Sequence, residues 1–286
     1  MKRGLGSDLS GRVILITGGG TGIGAATAVA CAQAGMDVCV VGKRIEPLQR
    51  VAAKVGEFGQ RGIPLAMDVT EHKASQRMLD HVEGTLGRCD AVFANAGYGM
   101  EKPVFHMDEE EVRRMIDVNL VASALLLSEA ARRFIEQKKP GHLLACSSCL
   151  AKFTMPGFGL YSATKAGQNM ICRGMRLACR RHGIEVSSVH PIGTHTEFVD
   201  VALELSGEHA GILKKQLPDS GMGGLFIQKP ERVGRAVVRG LRRPRAEIWT
   251  SISMRLLGGV FEFCPPLYDL MHHVAARQSA QAVEKD

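Results

Sequence analysis

The stretch Arg12-Val-Ile-Leu-Ile-Thr-Gly-Gly-Gly-Thr-Gly-Ile-Gly-Ala-Ala26 constrains the fold more than any other part of the chain. Val13 to Ile16 is an unbroken apolar run, the pattern of a strand buried on both faces of a parallel sheet. It stops at Thr17 and gives way to a loop with glycines at 18, 19, 20 and 22. An Ala-rich stretch, Ile23–Ala34, then predicts a helix closed by Gly35. Strand, glycine loop and helix in that order open a dinucleotide-binding βαβ unit. Glycine lets the backbone turn sharply and lie against a pyrophosphate, and the helix N-terminus adds unpaired N–H groups and a positive dipole end. A tight turn with no ligand is the competing reading of the loop; the flanking strand and helix favour the nucleotide.

The rest of the chain repeats this alternation. Asp37–Val41 is a second buried strand, and Gly42, Lys43 and Arg44 follow it. A carboxylate at the tip of this strand accepts a ribose 2′-hydroxyl and repels a 2′-phosphate. Here two cations stand there instead, so NADP(H) is favoured over NAD(H). Solvated side chains are the alternative reading of both. Helices are predicted over Glu46–Phe58, Glu71–Leu86, Asp108–Gln137, Phe158–His182 and Pro230–Leu241. Strands are predicted over Ile63–Met67, Ala91–Ala94, His142–Cys146, Ile184–His190 and Ala246–Thr250. The pattern predicts an α/β fold: a single Rossmann-like, doubly wound parallel sheet of about seven strands with helices on both faces. No repeat or linker divides residues 1–286, which read as one domain.

Composition excludes several classes. The N-terminal ten residues hold no apolar stretch, so they are not a secretory signal. Eight cysteines lie mostly inside apolar segments, which reads as reduced thiols in a cytoplasmic protein. Cys146 and Cys149 form a C-x-x-C pattern, but at a strand end and not at a helix N-terminus, so a redox role is set aside. The net charge of +7 and clusters such as Arg242-Arg243-Pro244-Arg245 raise nucleic-acid binding. With three Tyr and one Trp in the chain, no aromatics interleave the basic runs, and a solvated surface that attracts a phosphorylated cofactor is the simpler account. No metal-ligand cluster stands out.

Tyr161-Ser-Ala-Thr-Lys165 places a phenol and an ammonium four residues apart, on one face of a helix. The ammonium is expected to favour the phenolate and lower the Tyr161 pKa toward working pH. A phenol tuned in this way can give or take the proton of an alcohol–carbonyl pair. Such a pair alone is often an ordinary surface pair. Ser148, at the end of the fifth predicted strand, adds a hydroxyl able to hydrogen-bond a substrate oxygen.

Taken in order, these residues resemble the short-chain dehydrogenases/reductases with a TGxxxGxG motif, over roughly residues 10–250. Thr17-Gly-Gly-Gly-Thr-Gly-Ile-Gly24 matches the cofactor motif, which implies Gly18, Gly20, Thr21, Gly22, Ile23 and Gly24 as cofactor contacts. The resemblance implies that Asp68, with Val69 beside it, meets the adenine, and that Asn95-Ala96-Gly97 supports the central strand against the cofactor. Asn119, Ser148, Tyr161 and Lys165 fall where the family keeps its catalytic tetrad, and the interval to Tyr161 selects Ser148 over Ser147. The implied roles are an acid/base for Tyr161, a grip on the nicotinamide ribose for Lys165, polarisation of the substrate oxygen for Ser148, and a relay water held by Asn119. Pro191, Thr194 and Thr196 are implied contacts of the nicotinamide. One departure is Ile192, where the family commonly has glycine after the proline. His195 is a loop histidine that could reach the substrate, although such a residue more often faces solvent.

Residues 194–229 lack clean periodicity and contain five glycines, which suggests a substrate lid. Residues 252–286 form a C-terminal extension, apolar in part but broken by Arg255, Glu262 and two prolines, so it does not span a bilayer. An oligomer contact, a wall of an apolar substrate pocket and a foot on a membrane surface remain open for it. The functional expectation is an NADP(H)-dependent oxidoreductase acting on a secondary alcohol or its ketone, apolar or lipid-like and small to medium in size. A carrier- or CoA-linked 3-ketoacyl reductase and a non-catalytic cofactor sensor are the alternatives; a sensor would lose the tetrad, which is complete here. The two long helices, paired across a two-fold axis in the resembled family, imply a homodimer or homotetramer.

Overall fold

The computed structural model describes residues 4–194, 197–211 and 227–270. A strand that is apolar at every position has no face to leave in water, and β1 (Val13–Thr17) lies in the middle of the sheet. Its side chains alternate between two apolar layers. Ile14 and Ile16 pack under α1 (Gly22–Gln33), α2 (Ile45–Gly56) and α8 (Pro230–Arg242). Val13 and Leu15 pack under α3 (Ala74–Leu86), α5 (Ala122–Glu136) and α6 (Gly159–Cys179). The remaining strands of the sheet are β2 (Asp37–Gly42), β3 (Gly62–Ala66), β4 (Ala91–Ala94), β5 (Gly141–Cys146), β6 (Ile184–His190) and β9 (Glu247–Trp249). All seven run parallel, in the order β3-β2-β1-β4-β5-β6-β9.

Strand order reverses between β1 and β4, where Ile14 stands opposite Val38 on one side and Ala91 on the other. In a doubly wound sheet the crevice for a ligand opens at this reversal, outside the carboxyl ends of the strands. The expected fold is therefore the observed one.

Two local expectations differ, and the extension takes a defined form. The stretch predicted as one helix over Asp108–Gln137 is α4 (Glu109–Ile116), a π turn at Asp117–Val121, and α5. The Asn119 amide bonds the backbone of Tyr98 across the crevice, and the widened turn accommodates those tertiary bonds. The segment 194–229 is not wholly irregular: α7 (Glu197–Ser206) and a 3-10 turn at Gly207–His209 lie in it. Phe198, Ala202 and Ser206 recur every four residues and supply its inner face. Short strands β7 (Gly193–Thr194) and β8 (Ile227–Gln228) pair in parallel beside it. The extension begins as α9 (Ile252–Phe263), whose Phe261 meets Phe153 edge to face at 5.6 Å, while Ile252, Leu256 and Phe263 stay exposed. Among the described residues, no helix is long and apolar enough to cross a membrane. All eight cysteines are unbridged, and only Cys264 is exposed. Burial pushes the Cys149 thiol up to about 11 and the Cys146 thiol up as well, which makes both poor thiolates.

Candidate active site

At the carboxyl end of β1 the backbone is bent for close approach. Gly18 has φ +61°, and a Cβ there would sit 3.0 Å from the Ala96 Cα. A Cβ on Gly24 would meet the Gly18 carbonyl oxygen at 2.0 Å, so only glycine lets α1 start directly under the loop. The first turn of α1 has no side-chain cap at Thr21 and no acidic residue. Its N–H groups and dipole are thus left for an anion, with Gly20, Gly22 and Ile23 around them half-buried. Asn95 holds this loop against β4: its amide donates to the carbonyls of Thr17 (3.0 Å) and Gly18 (3.2 Å). The Thr17 hydroxyl accepts from the N–H groups of Asn95 and Ala96, both at 3.0 Å. This cradle fits the pyrophosphate of a dinucleotide.

Beyond the tip of β2 a cavity of about 640 Å³ lies between Lys43, Asp68 and Thr70 on one side and Glu109, Arg114 and Val118 on the other. Val69 lines a separate small pocket with Thr17 and Ala96. Both cations named in the sequence carry carboxylate partners. Lys43 pairs with Asp68 at 3.3 Å, and Arg44 reaches across to Glu197 on α7 at 2.6 Å. Burial alone would raise the Asp68 pKa; hydrogen bonds from Thr70 and the Lys43 charge outweigh it and hold the carboxyl below its usual range. The Arg44–Glu197 contact joins residues 153 apart in the sequence, a distance no local pattern reveals.

The reacting end forms where β5, the π turn and α6 meet. Ser148 follows β5 as the cap of a 3-10 turn, its hydroxyl accepting from Leu150 N–H at 3.1 Å. Ser147, the neighbour the spacing passed over, donates instead to the Lys165 carbonyl at 2.9 Å and so ties β5 to α6. Tyr161 and Lys165 lie on the inner face of α6, both buried. Asn119, wholly buried, accepts from Tyr98 N–H at 3.0 Å and donates to the Tyr98 carbonyl at 2.9 Å and the Thr164 hydroxyl at 3.3 Å. A Cβ on Gly97 would sit 2.9 Å from the Asn119 Oδ1 and 3.4 Å from the Lys165 Nζ. All four tetrad residues thus converge on one crevice beside the glycine loop.

The expectation for Tyr161 is corrected in one respect. Lys165 does not lower its pKa here. Its Nζ donates to the Cys146 carbonyl at 2.8 Å and to Gln168 Oε1 at 3.1 Å, and it lies 5.6 Å from the centre of the Tyr161 ring. Burial dominates and pushes the phenol well above its usual range, with a hydrogen bond from Ser148 opposing it weakly. Burial likewise lowers the pKa of Lys165.

Around the phenol the walls are apolar: Leu150, Phe153, Phe158, Ile192 and Phe198 belong to one cluster with Tyr161. Phe198 on α7 packs against the Tyr161 ring at 5.9 Å between centroids. Pro191 closes β6, and its carbonyl accepts from Cys149 N–H at 2.9 Å. Ile192, the departure from the family pattern, turns its side chain into the apolar cluster. Thr194 bonds the Ile192 carbonyl at 2.8 Å and accepts from Gln228 at 3.3 Å. Thr196 and His195 lie outside the described residues. Sequence reasoning missed Gln168 and His190. Gln168 follows Lys165 by one helical turn on a buried face, the signal that could have found it; His190 holds the Ser148 carbonyl at 2.9 Å through its Nδ1.

Known proteins share this fold. The family model described as "short chain dehydrogenase" matches residues 12–204. An uncharacterized oxidoreductase of Listeria innocua, Lin0452, is 27% identical over 82% of this chain and 92% of its own. A metagenomic short-chain oxidoreductase solved in complex with NADP is 27% identical, with a TM-score of 0.68 over 85% of this chain and 97% of its own. A short chain dehydrogenase of Mycobacterium paratuberculosis bound to NAD is 25% identical, with a TM-score of 0.72 over 85% and 97%. With the family model covering most of the sheet and the site, the chain belongs to the short-chain dehydrogenase family of oxidoreductases.

Proposed function

We propose that this chain is an NADP(H)-dependent oxidoreductase that interconverts an apolar secondary alcohol and its ketone. The observation that carries the reading is the convergence of Asn119, Ser148, Tyr161 and Lys165 on the crevice that the glycine loop opens. The loop from Gly18 to Gly24 binds the pyrophosphate, Asp68 and Val69 flank the adenine, and Lys165 holds the nicotinamide ribose. Lys43 and Arg44, with Gly42 in place of an acid, support a 2′-phosphate and so NADP(H); the similar structures hold NAD in one case and NADP in another. Bound there, a reduced nicotinamide supplies the hydride that the carbonyl carbon takes up. Ser148 donates a hydrogen bond to the carbonyl oxygen, and Tyr161 gives that oxygen its proton. A phenol held protonated by burial suits this direction, reduction at neutral pH. The apolar cluster at Tyr161, with Phe198 beside the phenol ring, supports an apolar substrate body. Eight unbridged thiols support a reducing, cytoplasmic setting.

Tyr161→Phe tests the reading. It removes the transferable proton while keeping the ring against Phe158 and Phe198. General acid catalysis contributes roughly 10²–10⁴-fold, so ketone reduction should fall by that much with NADPH affinity close to wild type. Wild-type turnover in the variant would overturn the assignment. Cofactor binding without turnover of any carbonyl by the unmodified protein would favour the sensor.

A further inference from the structure

Gln168 is 1% exposed, stands one turn after Lys165 on α6, and uses both ends of its amide. Its Oε1 accepts from the Lys165 ammonium at 3.1 Å, and its Nε2 donates to the Asn119 backbone carbonyl at 2.6 Å. The partners fix which end is which, because an ammonium can only donate and a carbonyl can only accept. The Asn119 side chain is itself committed to Tyr98 and Thr164, and its backbone carbonyl accepts from Gln168. The family resemblance implies a relay water held by Asn119 and leading to Lys165, and here the Gln168 amide joins the same two residues. We propose that Gln168 is a positioning residue of this active site, its amide taking the place of that water and clamping Lys165 to the π turn that carries Asn119. The proposal deepens the reductase reading above and rests on it for its catalytic meaning, though the clamp itself is a statement about Lys165.

A clamp of this kind has a consequence for charge. Lys165 is buried, and burial disfavours its ammonium form; a carbonyl acceptor within hydrogen-bond reach favours that form. The titratable groups facing Nζ are the Cys146 thiol from β5 and the Tyr161 phenol from its own helix. The π turn presents the neutral Asn119, and the loop after β4 presents Gly97. Neither thiol nor phenol is ionised at neutral pH, since burial pushes both up. Two carbonyls, those of Cys146 and Gln168, therefore hold the ammonium. Losing the amide removes one of them.

The test follows Lys165 directly. The protein is labelled with ¹³Cε-lysine and titrated by NMR, and the Lys165 signal is assigned by its absence in Lys165→Arg. Gln168→Met keeps the length of the side chain and removes both hydrogen bonds; Lys165 should then titrate lower by on the order of one pH unit. Gln168→Glu places a carboxylate against the ammonium, and Lys165 should titrate higher than in wild type. The alkaline limb of the kcat profile should move in the same direction in each variant, with a larger change in kcat than in KM. Should Gln168→Met fail to fold, the upward shift in Gln168→Glu decides alone. A Lys165 that titrates at the wild-type pH in the folded variants overturns the clamp, whatever the turnover. Shifts as expected in a protein that reduces no carbonyl would leave the clamp standing and remove the reductase reading.

Discussion

Two buried imidazoles make this fold sensitive to acid. His142 on β5 and His190 on β6 have no solvent exposure. His142 shares a hydrogen bond with the Ser187 hydroxyl at 2.8 Å, while its Nδ1 has no partner among the described residues. His190 is sandwiched between the Ser148 carbonyl and the Trp249 ring, stacked at 4.5 Å. Burial, helped by the Arg176 charge, lowers the His142 pKa to about 3. Burial lowers that of His190 to about 4, against the opposing bond to Ser148. In the unfolded chain both return to the ordinary value of about 6.5. The unfolded state thus binds more protons once the pH drops below that value. Stability is full above about 6.5 and is lost progressively as the pH falls toward 3 to 4.

Between pH 7 and pH 5 each histidine should cost about 2 kcal/mol, and the pair about 4 kcal/mol. The figure depends mainly on the ordinary pKa, because both folded values lie at or below about 4. With a urea slope of about 2–3 kcal/mol/M, the unfolding midpoint should fall by roughly 1.3–2 M. Equilibrium urea unfolding at the two pH values, at fixed protein concentration, measures it. His142→Gln should be less stable at pH 7 yet lose only about half as much on going to pH 5. A wild-type midpoint that does not move between the two pH values would refute the reasoning. So would a variant with the full wild-type pH dependence.

Two further predictions concern ligand and assembly. NADPH should bind more tightly than NADH by calorimetric titration, and Lys43→Ala or Arg44→Ala should weaken NADPH alone, at about 1.5–3 kcal/mol per charge-assisted bond lost. Glu197→Gln frees Arg44 from an exposed pair of modest strength, about 0.2–1 kcal/mol, and should tighten NADPH a few-fold; equal affinity for both cofactors would sink the preference. Leu125 on α5 and Met170 and Leu177 on α6 are exposed at 58%, 62% and 81%, an apolar surface suited to a two-fold contact. Light scattering should give a dimer or tetramer, and Met170→Glu with Leu177→Glu should yield monomers; a monomeric wild type at micromolar concentration would contradict it.

The sheet was legible because its strands are buried on both faces and say so in every residue. Val13–Ile16 and Val38–Val41 have no polar positions to dilute the pattern. The glycine loop was legible for a steric reason: at Gly18 and Gly24 any side chain meets backbone. Tyr161 and Lys165 were paired by helical spacing alone. What the sequence did not disclose depends on contacts between distant segments. Nothing near Arg44 announces Glu197, and nothing in His190 announces the Ser148 carbonyl. The ionisation of Tyr161 was misjudged because sequence spacing brings Lys165 to the same face but says nothing of the depth at which both are buried. The α7 helix escaped notice because its inner face is short, Phe198, Ala202, Leu203 and Ser206 between glycines.

The π turn at Asp117–Val121 shows how one such contact shapes the site. Downstream, Leu126, Leu127, Ala130 and Phe134 must face the sheet, since they form its apolar layer. Upstream, Asp108 and Glu111 fix the start of α4 with a reciprocal capping box. A regular helix between these two anchors has no freedom left to choose where Asn119 points. One extra residue in a turn rotates everything after it by about 100°, so a wide turn separates the two demands. It lets α5 keep its layer while Asn119 turns to the Tyr98 backbone and Thr164, and its carbonyl to Gln168. The bonds to Thr164 and Gln168 are buried and those to Tyr98 partly so, and leaving a buried polar group unpaired costs about 1–3 kcal/mol. Tyr98, Asn119, Thr164 and Gln168 therefore hold the irregular turn together, and the same bonds set the position of Lys165 beside the phenol.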